Sequence, residues 1–118
     1  MDFGLTDDQQ QYLKSLREFL AAEILPHAAE MDASETFRRE NLTALAQLGY
    51  TGLNFPEPYG GTGADLPTTT MASIELARAD AATALSVGAS LALCGYPILQ
   101  YGTEEQRRRW LPGMARGE

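Results

Sequence analysis

Tyr12, Leu13, Leu16, Phe19, Leu20 and Ile24 recur at three- and four-residue spacing, which places them on one face of a helix. That helix has a start signal. Thr6 can accept the backbone N–H of Gln9 while the Gln9 side chain reaches back to Thr6, and Asp7 and Asp8 suit the positive end of the helix dipole. Pro26 is expected to end or kink it, because the ring disfavours a helical Leu25, with His27 to Ala33 forming a further short turn of helix. A second helix is predicted from Phe37 to Leu48, with Leu42, Leu45, Ala46 and Leu48 inward, Gly49 as its left-handed cap and Tyr50 folding back onto its last turn. Residues 51–55 read as a short extended stretch. A third helix starts near Leu66 and Pro67 and reaches Asp80. The last opens with another capping box, Thr103 to Gln106, and runs to Leu111, which puts Arg107, Arg108 and Arg109 at its negative end as a solvated, dipole-compensating cluster rather than an anion site.

Between the third helix and the last lies a stretch with no charge at all, from Ala81 to Tyr101. Its length suits a membrane span. Thr83, Ser86, Ser90, Gly95, Pro97 and Gln100 dilute it, however, and no basic flank anchors either end, so the expectation is no span but the central helix of a bundle, buried all round. Ala84, Gly88 and Ala92 follow one another at four-residue spacing. Such a smooth stripe serves either the close approach of a neighbouring helix, which the residues alone favour, or a groove for an extended apolar ligand with Val87 and Leu91 as its walls.

Composition sharpens the fold class. Leu occurs 16 times and Ala 17 times, against four Val and Ile together, so the core is helical and the domain all-α. A chain of 118 residues makes one compact domain, 1–118. A net charge of -7 argues against a nucleic-acid partner. The single Cys94 forms no internal bridge and reads as a small buried hydrophobe, and the opening residues lack a secretory signal; both point to a reducing, cytoplasmic compartment. His27 has no ligand partner in sequence and reads as a surface side chain, so no metal site is expected. The acidic residues read as scattered and solvent-facing. Pro56 to Asp65, with two prolines and three glycines, is a shaped turn rather than a phosphate cradle, since it lacks a preceding strand and a Lys-Ser/Thr pair. By themselves these residues form a helical bundle without a catalytic constellation.

Several ordered features nevertheless resemble the N-terminal domain of acyl-CoA dehydrogenases. They are Phe3-Gly4-Leu5-Thr6-Asp7-Asp8-Gln9, Leu25-Pro26 with Ala28-Ala29-Glu30-Met31-Asp32, Leu48-Gly49-Tyr50, Pro56-Glu57-Pro58-Tyr59-Gly60-Gly61-Thr62-Gly63, Glu75-Leu76-Ala77-Arg78-Ala79-Asp80, and Tyr101-Gly102-Thr103-Glu104-Glu105-Gln106 leading to Trp110-Leu111-Pro112. The resemblance implies an up-and-down helical bundle. It further implies a flavoprotein that removes two hydrogens from acyl-CoA or another acyl thioester, a glutamate taking the α-proton and flavin N5 the β-hydride, with electrons passing to an electron-transfer flavoprotein or similar acceptor. FAD and the catalytic base are expected from middle and C-terminal domains that this chain lacks, so the 118 residues alone should hold no FAD and catalyse nothing. A homo-oligomer is implied. The family's helix matching residues 81–96 borders the acyl chain, which turns the groove reading into the favoured one, with Ala84, Val87, Gly88 and Leu91 as substrate-binding candidates. Ser90 departs from the histidine or other polar group often found there. Two alternatives stay open: a flavin monooxygenase or nitroalkane oxidase of the same superfamily, and a non-enzymatic helical association module.

Overall fold

The computed structural model describes residues 4–118; Phe3 of the opening motif lies outside the described residues. The described chain is all-α: α1 (Asp7–Glu23), α2 (Leu25–Ser34), α3 (Arg39–Gln47), α4 (Leu66–Ala79), α5 (Ala81–Gly88), a π-helical segment (Ala89–Gly95), α6 (Tyr96–Tyr101) and α7 (Glu104–Ala115), with 3-10 turns at Tyr50–Gly52 and Glu57–Tyr59. Helix α1 lies against α2 and α4, α4 against α5, and α7 against α6, the π segment and both 3-10 turns. The core joins Leu13, Leu16, Leu20 and Ile24 of α1 to Leu45, Phe55, Leu76, Val87, Leu91 and Leu111. Fully burying one such side chain contributes about 1.5–3 kcal/mol, so these residues dominate the packing.

Both capping boxes form. Thr6 accepts the Gln9 N–H at 3.2 Å and donates its own N–H to Gln9 Oε1 at 3.0 Å; Thr103 and Gln106 repeat the pattern at 3.2 and 2.8 Å. Gln9 Nε2 also donates to Thr68 Oγ1 at 3.0 Å, fastening the start of α1 to the start of α4. Gly49 is left-handed (φ 82°), as its place after a helix requires.

Several local expectations are corrected. The break before Pro26 falls at Ile24 (φ -108°, ψ -57°), and Leu25 opens α2. A proline in the first turn lacks only an N–H that would have been orphaned there. Residues 51–55 are not extended, because a 3-10 turn carries Thr51 to where its hydroxyl donates to Ala115 O at 2.7 Å. Leu48 is exposed, standing beyond the last inward turn of α3. Helix α7 runs to Ala115 with Pro112 inside it, so the three arginines sit mid-helix: Arg108 pairs with Glu104 at 2.6 Å, Arg107 lies 3.9 Å from the same carboxylate, and Arg109 lies over the Trp110 ring at 5.7 Å. Tyr59 Oη also donates to Glu104 at 2.7 Å, joining the Glu57–Tyr59 turn to α7.

The acidic residues are not uniformly solvent-facing. Glu75 on α4 is buried and accepts from Arg17 on α1 at 2.7 Å, with Arg78 at 3.8 Å. A second buried polar chain runs from Arg38 Nη1 to Asn41 Oδ1 (3.1 Å), from Asn41 Nδ2 to Thr83 Oγ1 (3.1 Å), and from the Thr83 hydroxyl to Asp80. Asn41 and Thr83 are each at once donor and acceptor, so the chain polarises from guanidinium to carboxylate and ties α3 to the head of α5.

These clamps can be tested by stability measurements. Asn41→Leu leaves the Thr83 hydroxyl without its donor and should lower the unfolding free energy by about 2 kcal/mol in urea titration. The hydrogen bond from Arg17 holds the Glu75 carboxyl below its ordinary 4.5, against the opposing effect of burial. A lowered carboxylate contributes stability in full above about pH 4.5 and loses it as pH falls through the folded-state value. Thermal melts of Glu75→Gln should therefore show about 1–2 kcal/mol less stability at neutral pH and a shallower acid-side decline than wild type.

Candidate functional site

The uncharged stretch forms one rod, Ala81–Tyr101, assembled from α5, the π segment and α6. Asp80 separates it from α4: its backbone is extended (φ -158°, ψ 109°) and its carboxylate caps the Thr83 N–H at 3.0 Å. The rod is long and apolar enough to cross a membrane by length and composition. It is not buried all round, as the sequence led us to expect; only 22% of its most apolar window is buried. The buried positions form a rhythm, with Thr83, Val87, Leu91 and Gly95 at four-residue intervals. On the opposite side Leu85 and Leu93 are each 75% exposed and Tyr96 is 51% exposed, a bare apolar face. Cys94 is exposed too, not the buried hydrophobe its surroundings in sequence suggested.

Winding explains the rhythm. In an α-helix a four-residue step overshoots one turn by about 40°, so three such steps would carry Gly95 well away from the core. The π segment, where the Tyr96 N–H bonds to Leu91 O five residues back, is wider and turns less per residue, which brings Gly95 back under the same face. Two features favour the widening. Pro97 lacks an N–H, and its ring would meet the carbonyl four residues before it in a regular α-helix. Gly95 has no side chain, and the Phe55 ring occupies the place its Cβ would take, with Met114 Cε at 3.2 Å from the same point.

The four sequence candidates lie on one side of the rod but in different surroundings. Val87 and Leu91 are buried and belong to the core, whereas Ala84 and Gly88 are half-buried at its margin. A Cβ on Gly88 would meet nothing within 4 Å, so no neighbouring helix makes its close approach there; that approach happens at Gly95. Val87 and Leu91 line a cavity of about 90 Å³ with Leu42, Thr51, Ser86 and Met114. Three water molecules would roughly fill it, and it falls short of the size of small-molecule pockets. Sequence reasoning missed a larger opening beside the rod. It is an apolar cleft of about 430 Å³ between Ala64, Leu66 and Thr69 on one side and Ala92, Tyr96 and Leu99 on the other. Leu85 and Leu93 were also missed, because which hydrophobes of the uncharged rod turn inward is settled only by what packs on them.

The chemistry available is modest. Backbone N–H groups of the Pro56–Asp65 loop are used within the fold: Gly61 to Pro56 O, Thr62 to Gly52 O, Gly63 to Phe55 O and Ala64 to Leu53 O. Gly61 is there because a Cβ would run into the Phe55 carbonyl. With its donors turned inward the loop does not fit a phosphate group. Among the described residues no three His, Cys, Asp or Glu side chains gather to hold a metal ion, and His27 is half-buried rather than fully at the surface.

Comparison with known proteins places this geometry. Residues 6–118 match the acyl-CoA dehydrogenase N-terminal domain. The whole chain is 38% identical to the short-chain-specific acyl-CoA dehydrogenase of Clostridium acetobutylicum, spanning 31% of its length. Butyryl-CoA dehydrogenase from Megasphaera elsdenii superposes with a TM-score of 0.90 at 38% identity, covering 99% of this chain and 31% of that one. A chain from the structure of the electron-transferring flavoprotein of Acidaminococcus fermentans superposes with a TM-score of 0.92 at 36% identity, again over 99% and 31%. An acyl-CoA dehydrogenase of Bacillus anthracis solved with FAD gives 0.87 at 29% identity, over 96% of this chain and 20% of that one. The chain thus spans about a third of the length of the curated relatives it matches. Its fold and sequence together establish that it belongs to the acyl-CoA dehydrogenase family, as an N-terminal helical domain.

Proposed function

We propose that this chain is the N-terminal domain of a flavin-dependent dehydrogenase acting on an acyl thioester, and that it walls the acyl pocket with the open face of its uncharged rod. One observation carries the reading: Leu85 and Leu93, both three-quarters exposed, stand on a helix with no charged residue in 21 positions. Leaving two leucines in water forgoes about 1.5–3 kcal/mol each, a cost that covering by a ligand or by further protein removes. Ala84 and Gly88 border this face, leaving room for a chain to lie against it, while Val87 and Leu91 hold it from behind by filling the core. The wall therefore differs from the sequence candidates in its centre, which is Leu85 and Leu93. Protein and acyl chain, rather than lipid, cover the rod in this reading.

The domain's contribution is shape and dryness. An uncharged wall excludes water from the acyl tail and orients it by contact alone, so that remote binding energy is available to the reacting carbons. Glu75, the carboxylate buried among the described residues, is held ionised by Arg17 and is not a base for the reaction. FAD, the base and the contact with an electron-transferring flavoprotein belong to the complete polypeptide, which would work as a homo-oligomer in the cytoplasm.

Produced together with the sequence that follows it in its reading frame, the chain should retain FAD and reduce an electron acceptor when given a straight-chain acyl-CoA. The 118 residues alone should retain no FAD. Stoichiometric flavin in the 118-residue protein, or no turnover by the longer one, would overturn the assignment. Within the longer protein Leu93→Ala should enlarge the pocket and shift the ratio of kcat/KM between long and short acyl chains about tenfold toward long, as expected of a few methylenes of wall; the check is steady-state kinetics over a series of chain lengths.

A further inference from the structure

The π-helical segment Ala89–Gly95 is left unexplained by an apolar wall as such, since a plain α-helix could carry leucines just as well. Its position is informative. It begins after Leu85 and contains Leu93, the two most exposed leucines of the rod. Those two lie eight residues apart, a separation that precesses by about 80° in an unbroken α-helix, so the wider winding is what returns Leu93 toward the line of Leu85. On the inner side the same winding keeps Leu91 and Gly95 on the core, and Gly95 is seated against the buried Phe55 ring with only hydrogen on its Cα. The Tyr96 N–H bonded to Leu91 O marks the extra residue that the turn absorbs.

We infer that this π turn, seated by Gly95 on Phe55, is a positioning device that aligns the two halves of the acyl wall, with Gly95 and Phe55 as positioning residues that never touch substrate. The inference rests on the acyl-wall reading given above and adds the element that sets the wall's depth.

Removing one residue from the turn tests it. With exposed Cys94 deleted, the inward positions are separated by four, four and three residues, the spacing of an ordinary α-helix, Leu85 and Leu93 stay eight residues apart, and Gly95 still meets Phe55 without a Cβ. The rod should then wind as an α-helix, and Leu93 should swing off the line of Leu85. In the flavin-loaded, full-length polypeptide the ratio of kcat/KM between long and short acyl-CoA should change about tenfold, with kcat on the preferred substrate within about threefold of wild type. A merely structural role would lower all chain lengths alike. The double variant Phe55→Leu/Gly95→Ala is the second route to the same end, since leucine lacks the ring atoms that fill the place where a Cβ at position 95 would stand; it keeps the test decisive if the deletion does not fold. A wild-type chain-length profile in either folded variant, while Leu93→Ala shifts it, overturns the positioning role and leaves the wall intact. A profile that Leu93→Ala also fails to move overturns the wall, and the positioning inference with it.

Discussion

Phe55 is approached from several sides with little or no side chain between. Its ring lies against Gly95 of the rod, and the Gly61 backbone sits against its carbonyl, which also accepts the Gly63 N–H. Met114 of α7 closes over the same glycine of the rod. A ring this enclosed fixes three elements at once, because close-packed interiors tolerate neither a gap nor an added methyl. The direction of the rod, the course of the Pro56–Asp65 loop and the end of α7 are consequently one problem with one solution. The 3-10 turn before Phe55 belongs to it: Gly52 packs against Ala115, and Thr51 bonds to the Ala115 carbonyl.

Polar clamps do for the helix ends what Phe55 does for the centre. Arg17 and Glu75 hold α1 to α4, while the Arg38–Asn41–Thr83–Asp80 chain holds α3 to the head of α5. Buried polar groups are costly unless matched, so each chain disfavours sliding of one helix along another more strongly than apolar contact would. The division is economical in charge. Arg38 and Asp80 lie just ahead of the helices they serve, and the rod itself remains without charge, free to present an apolar face.

In the proposed reading, function in this domain comes from shape. Its described residues gather no metal cluster and no open phosphate cradle, and yet it belongs to a family of enzymes. A wall needs an apolar surface held at a defined distance, and that is a packing property of α5, the π segment and α6. The small residues along the rod therefore have separate tasks. Gly95 admits a neighbouring ring, whereas Gly88 leaves open space.

Local chemistry made the helices legible in the sequence alone. Capping boxes at Thr6 and Thr103, the left-handed glycine after α3, the Leu-and-Ala core and the inward face of α1 all depend on residues within a few positions of one another, and all appear as read. The family was legible as well, because its motifs recur in order along the chain. Tertiary structure alone decided the rest. Burial of Asn41, Glu75 and Thr83 depends on partners dozens of residues away. Which face of an uncharged rod turns inward has no signature in composition, since Val87 and Leu93 are alike as hydrophobes and differ only in what packs on them. The π turn seats Gly95 against Phe55, 40 positions apart in the chain, and a helical period read from neighbours cannot register a contact of that range.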